Sequence, residues 1–168
     1  TRLCQYIRRE DPTAAYKTLI PCNIFGRHDK FSGEGAHLLP AVIHKIHLAM
    51  THRQSTVEIW GDGSARREFM YAADLADAIL RAAEDIEQIP DLMNIGIGRD
   101  FTINEYYQLT AEVLGWHGEF VHDTTRPVGM KQKLCSIARQ SAWGWSAQTS
   151  LRDAVGHTYA YYRSELAK

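Results

Sequence analysis

The chain has 168 residues, 45% of them hydrophobic and 23% charged, proportions of a folded globular protein and not of a disordered or fibrous one. Nineteen Lys and Arg against twenty Asp and Glu leave a formal charge of -1, so no overall field draws in nucleic acid and any anion site must be local. Cys4, Cys22 and Cys135 are too few and too scattered for a disulfide scaffold or a thiolate metal cluster, no apolar run approaches the roughly 18 residues of a membrane span, and a cytoplasmic location is the expectation.

Leu3, Tyr6 and Ile7 mark one side of an opening helix that Pro12 brings to an end. Residues 15–26 read as a buried strand and its exit, with an irregularity predicted from Pro21 to Gly26 because proline cannot join ordinary central pairing. The polar, glycine-containing stretch 27–36 reads as a loop, and Pro40 in a first turn introduces a helix around residues 41–50 on Val42, Ile46 and Ala49. Thr56–Trp60 alternates as a strand, Gly61-Asp62-Gly63 turns, and Arg67–Tyr71 continues extended, which predicts a hairpin. Leu75, Ile79, Ala82 and Ile86 give a helix over residues 74–85, followed by a short strand from Leu92 to Gly96.

Thr102-Ile-Asn-Glu105 has the spacing of a capping box ahead of Tyr106, Leu109, Val113 and Leu114, a helix that Gly115 stops. A strand at 119–122, a basic loop at 123–133 broken by Pro127 and Gly129, a short helix starting in 136–140 and a capped final helix from Ser150 complete the series. This order predicts a mixed α/β layer structure whose first helix and strand look like the trailing part of something larger.

His37 stands beside a glycine-containing loop and a helix start, a setting that suits proton transfer near an anion, although an ordinary loop or packing histidine has the same appearance. The spacing of His28, Asp29 and His37 matches no specific metal pattern, so no metal is predicted. The segment Gly61–Glu68 joins a flexible turn to Arg67, whose forked donors suit a phosphate, and Arg126 to Lys133 gathers three cations on a second loop. Two separate basic loops in a near-neutral chain favour a compact anionic ligand over nucleic acid. Cys22 reads as a small buried thiol, with no base paired to it. Neither Gly33-Glu34-Gly35 nor Gly96-Ile97-Gly98 completes the dinucleotide-binding glycine pattern, and no Tyr is followed four positions later by Lys.

Taken in order, Pro21-Cys-Asn-Ile-Phe-Gly-Arg-His-Asp-Lys-Phe31, Ala36-His-Leu-Leu-Pro40, Trp60-Gly-Asp-Gly-Ser-Ala-Arg-Arg-Glu-Phe69, Asp74-Leu-Ala, Asn94-Ile-Gly96 and Arg126-Pro to Lys133 resemble the NAD-dependent epimerase/dehydratase family of extended short-chain dehydrogenases/reductases. The resemblance covers essentially the whole chain. It implies an α/β fold in which residues 1–30 are the trailing helix and strand of a Rossmann domain. Residues 31–168 are then mainly a carboxy-terminal nucleotide-sugar substrate domain, with room for one further strand to return to the Rossmann sheet. The amino-terminal nucleotide-binding part, with the glycine-rich NADP loop and the family's catalytic Tyr, Lys and Cys, would precede Thr1.

The same resemblance implies that the intact parent, a homodimer using NADPH, epimerises C3 and C5 of GDP-4-keto-6-deoxy-D-mannose and reduces C4 to give GDP-L-fucose. This chain alone would be inactive and hold no cofactor tightly. By residue-level match His37 is the acid/base group and, with Asn23, faces the cofactor, while Lys45, Trp60, Arg67 and Lys133 contact the GDP-sugar. Phe25, Ala73, Gln132 and Ser136 depart from the family pattern and leave the sugar open. A related nucleotide-sugar 4-epimerase or reductase, or a stand-alone nucleotide-sugar binding module, is the alternative.

Overall fold

The computed structural model describes residues 1–33, 35–126 and 128–167; Glu34 of the first glycine pair and the loop-breaking Pro127 lie outside the described residues. Helix α1 (Arg2–Glu10) starts at Thr1 without a side-chain cap, buries none of its residues fully, and forms an ion pair from Arg8 to Asp91. The strand predicted over residues 15–26 is two short ones. β1 (Thr18–Pro21) runs parallel to β6 (Leu92–Ile95), the Cys22 N–H donates to the Ile95 carbonyl at 2.8 Å, and β2 (Asn23–Phe25) then leaves to pair in parallel with β5 (Phe69–Tyr71). The handover follows Pro21, which has no N–H with which to continue the first ladder.

The predicted hairpin does not form. β3 (Thr56–Trp60) pairs in parallel with β8 (Glu119–Asp123), whereas β4 (Arg66–Arg67) lies between antiparallel β7 (Phe101–Thr102) and parallel β9 (Gln132–Lys133). The turn at Gly61-Asp62-Gly63 is present, with both glycines at positive φ. Its hydrogen bonds go to the start of helix α4 (Ile103–Leu114) and not to a returning strand. Asn104 donates to the Asp62 carbonyl through its side chain and to Gly63 through its backbone, and Ile103 donates to Ala65.

Most other elements stand where periodicity puts them. α2 (Leu38–Thr51) starts three residues earlier than predicted and carries Pro40 in its first turn. There the N–H that proline lacks would have no intrahelical partner. α4 has both halves of its capping box, Thr102 and Glu105, and ends at Gly115 in the left-handed conformation. α3 (Ala72–Glu84) follows directly from β5, α5 (Ala138–Trp143) begins inside the predicted 136–140 window, and α6 (Leu151–Leu166) is capped by the Ser150 hydroxyl.

Two hydrophobic clusters result. The first lies under α2, α4 and α6 and includes Phe25, Leu39, Ile43, Ile46, Phe69 and Tyr106; the second, toward α3, includes Cys22, Met70, Ala78, Met93, Ile95 and Trp145. Successive side chains of a strand point to opposite sides, so Phe69 and Tyr71 enter the first cluster while Met70 enters the second. The β2–β5 ribbon is therefore a wall between them, and its far end reaches the candidate site.

Candidate functional site

Arg66 and Arg67 are neighbours on β4 with opposite outlooks. Arg66 turns to Asp100, donating from Nε to Oδ1 at 2.8 Å and from Nη2 to the carbonyl at 2.9 Å. Arg67, half-buried, faces a cavity of about 420 Å³ that Asn23, His37 and Lys133 also line. The β4–β9 register sets Arg67 directly opposite Lys133, which puts both cations on one face. Among the described residues no carboxylate lies within ion-pair distance of either. Arg67 Nη1 donates to the Arg66 and Met130 carbonyls, each at 2.7 Å, and so fixes the guanidinium plane and ties the 130–133 segment to β4.

His37 is the N-cap residue of α2, but its ring makes no cap hydrogen bond and stays exposed, with Nδ1 3.7 Å from Asp29 Oδ1. Asn23 at the start of β2 donates from Nδ2 to the Glu68 carbonyl at 2.8 Å. These two polar groups and the Arg67–Lys133 pair share one cavity, so a ligand spanning it meets positive charge at one part and an imidazole at another.

Lys45 and Trp60 line an adjoining cavity of about 540 Å³, which shares Ala36, Leu38 and Ile103 with the first. Lys45 Nζ donates to the Glu58 carbonyl at 3.1 Å and sits 5.2 Å from the Trp60 ring centre. Burial lowers the Lys45 pKa, opposed by the nearby Glu58 carboxylate. Trp60 is 58% exposed, donates from Nε1 to Glu58 Oε1 at 2.7 Å, and has the Arg126 guanidinium 5.1 Å from its ring centre. An exposed indole with two cations near it is a platform open to a flat ring. The six residues singled out from sequence thus fall on two adjoining cavities, four on the first and two on the second.

Sequence reasoning passed over Tyr107 and His44, which line the second cavity. Burial pushes the Tyr107 phenol up to about 12. The tandem Tyr106-Tyr107 on an amphipathic helix was the available signal: Tyr106 enters the core and donates to the Arg67 carbonyl at 2.9 Å, while its neighbour reaches the cavity. Cys22 is a buried free thiol raised to about 12, first by burial and then by the Glu68 carboxylate, a poor nucleophile. Among the described residues no group of three or more His, Cys, Asp and Glu could hold a metal ion, and no helix is long and apolar enough to cross a membrane.

The Gly96-Ile97-Gly98 turn is closed by internal packing. A Cβ on Gly96 would overlap the Glu68 carboxylate, and one on Gly98 would overlap Ile137. The N–H groups of Gly96, Ile97 and Gly98 donate to the Gln140 and Glu68 side chains, so this turn offers none of the three to a pyrophosphate.

Residues 1–96 match the NAD dependent epimerase/dehydratase family. The chain is 50% identical over 161 residues to a GDP-L-fucose synthase of Azorhizobium caulinodans, covering 96% of this chain and 51% of that protein. It is 48% identical over 164 residues to a GDP-L-colitose synthase of Yersinia pseudotuberculosis, covering 98% of this chain and 53% of that protein. It therefore spans about half the length of these curated relatives. Among solved structures, a GDP-L-fucose synthetase from Naegleria fowleri bound to NADP shares the fold with a TM-score of 0.87 at 22% identity, over 99% of this chain and 54% of that one. A UDP-glucose 4-epimerase from Thermotoga maritima is similar with a TM-score of 0.80 at 26% identity, over 98% of this chain and 51% of that one.

Proposed function

The chain belongs to the NAD dependent epimerase/dehydratase family, and from that premise we propose that it is the nucleotide-sugar half of an NADPH-dependent GDP-sugar epimerase-reductase. The longer protein would epimerise C3 and C5 of GDP-4-keto-6-deoxy-D-mannose and reduce C4, giving GDP-L-fucose. Relatives near 50% identity that carry GDP-sugar synthase names support the substrate class. The observation that carries the reading is the Arg67–Lys133 pair facing the cavity that His37 also lines.

In this reading Arg67 and Lys133 hold the diphosphate, and Trp60 with Lys45 receives the rest of the nucleotide. The 4-keto group makes the hydrogens on C3 and C5 removable, because the resulting carbanion is an enolate. His37 exchanges those protons, with Asp29 orienting its ring. Asn23, held by the Glu68 carbonyl, stands beside it toward the nicotinamide side. NADPH would supply hydride for the C4 reduction in the longer protein. The reading places residues 1–30 with the dinucleotide half and 31–168 mainly with the substrate half, β6 returning to pair with β1. It also carries a cytoplasmic, homodimeric parent. A GDP-L-colitose-forming parent is the second reading, favoured by the 48% identical Yersinia relative.

Calorimetry of the chain with GDP and GDP-mannose should show binding that UDP does not reproduce; no binding, or equal binding of all three, rejects the substrate half of the proposal. In the longer protein, His37→Gln should slow solvent-deuterium exchange at C3 and C5 by about 100-fold or more while GDP affinity stays within about twofold. Loss of both together with unfolding would reject the chemical role.

A further inference from the structure

Glu68 joins Arg67 to β5, and the residue is 1% exposed. Among the described residues its carboxylate is met by three backbone N–H groups and no cation: Oε1 accepts from Ile97 at 2.7 Å and Gly98 at 2.8 Å, and Oε2 accepts from Cys135 at 2.8 Å. Three donors converging on two oxygens call for an acceptor-only group, since an amide of the same shape would turn its NH2 against one of them. Burial first and the Glu68 carboxylate second push up the thiols of Cys22 and Cys135, the latter also through a side-chain hydrogen bond to that carboxylate.

The donors come from two segments that are remote in sequence, the turn leaving β6 and the strap leaving β9. Three of the four polar groups on the first cavity are fastened to this one residue. Asn23 is held by the Glu68 carbonyl, Arg67 by the shared peptide bond, and Lys133, two residues on, by the Cys135 N–H. Ahead of Lys133 the strap is held by Met130 and Lys131, whose carbonyls accept from Arg67 and Arg66, and by Gln132, which donates to Asp100. Beyond Lys133 the strap is held by the Cys135 N–H on Glu68, the residue after β4, and by the Ser136 carbonyl, which accepts from Asn94 of β6 at 3.0 Å. Two like charges on adjacent strands repel, and an exposed two-residue strand has little of its own to resist that.

We propose that Glu68 is a positioning residue for anion binding, its buried carboxylate pinning the strap so that Lys133 stays beside Arg67 on the cavity face. The inference rests on reading that cavity as the diphosphate site.

Glu68→Gln tests it. The Gln carbonyl oxygen can keep Ile97 and Gly98, while its NH2 opposes the Cys135 N–H. Amide hydrogen exchange at residues 133–135 should rise about tenfold or more with exchange in α2 and α4 unchanged, and the dissociation constant for GDP should rise about tenfold. Lys133→Ala, which weakens GDP binding in the unaltered chain, should add little in the E68Q background, because the lysine is already displaced. Should E68Q fail to fold, Glu68→Asp, charged but too short to reach both segments, serves the same comparisons. Unchanged exchange at 133–135, or full additivity with K133A, overturns the proposal and leaves Glu68 a packing residue. If the unaltered chain binds no GDP, the diphosphate reading falls, while the exchange comparison still decides whether the tether exists.

Discussion

Exchanging Arg67 for lysine separates two jobs that its guanidinium does at once. Nη1 is already committed to the Arg66 and Met130 carbonyls at 2.7 Å, which leaves Nη2, lying beside Gly129, to meet an anion. A hydrogen bond between a charged donor and phosphate contributes about 1.5–3 kcal/mol, so losing that arm should weaken GDP binding roughly 10- to 150-fold. A lysine retains the charge on a single nitrogen: it can hold the Met130 carbonyl or reach a phosphate, not both. Arg67→Ala removes arm and charge together and should weaken binding at least as much, with a stability loss of only about 1 kcal/mol from the carbonyl bonds. Calorimetric titration with GDP, paired with urea unfolding of each variant, reads the two effects apart. An R67K affinity within about twofold of the unaltered chain would refute the argument, for the cation would then act as a diffuse field and its fork would be irrelevant.

Stability should also depend on pH through the α2–α6 contact. His44 and His47 bond Tyr162 and Tyr159 at 2.7 and 3.0 Å, and burial lowers both imidazoles, His47 also through His44 and Arg163. A lowered folded value means that the unfolded chain binds more protons. Their contribution is complete above pH 6.5 and is lost as the pH falls through the lowered values, so thermal midpoints should drop between pH 7.5 and 5, and a flat profile that His44→Leu leaves unchanged would contradict this. Gly63→Ala should cost about 2–3 kcal/mol in urea unfolding, because Gly63 has φ +70 and a Cβ would displace the Asn104 amide from Asp62. Gly115→Ala, at φ +77 with nothing within 4 Å of the added carbon, should cost only about 1 kcal/mol; equal losses would show that the Asn104 contact contributes nothing.

What could be read from the sequence was what is decided locally. The α4 capping box needs only Thr102 and Glu105, three positions apart, and both bonds are present. The hairpin failed because each strand had a stronger offer from far along the chain, β3 from Glu119–Asp123 and β4 from Phe101–Thr102 and Gln132–Lys133, while the turn itself bonds Asn104. Arg67 and Lys133 were visible as members of separate basic loops, but their adjacency depends on the β4–β9 register, which no local pattern encodes. The grouping of Asn23 and His37 with them came from family resemblance and not from spacing. Glu68 was invisible, since a carboxylate following two arginines reads as surface charge until the fold brings three amides to it.

The alternation along Phe69-Met70-Tyr71 has a consequence for how the molecule comes apart. Because consecutive residues of one strand serve opposite clusters, neither cluster can melt alone without stripping the other of its wall, and the two halves share a single cooperative fate. The ribbon begins one residue after Glu68 and two after Arg67, so the floor beneath the cations belongs to the most persistent part of the molecule. A ligand would meet a floor that packing has already set in place.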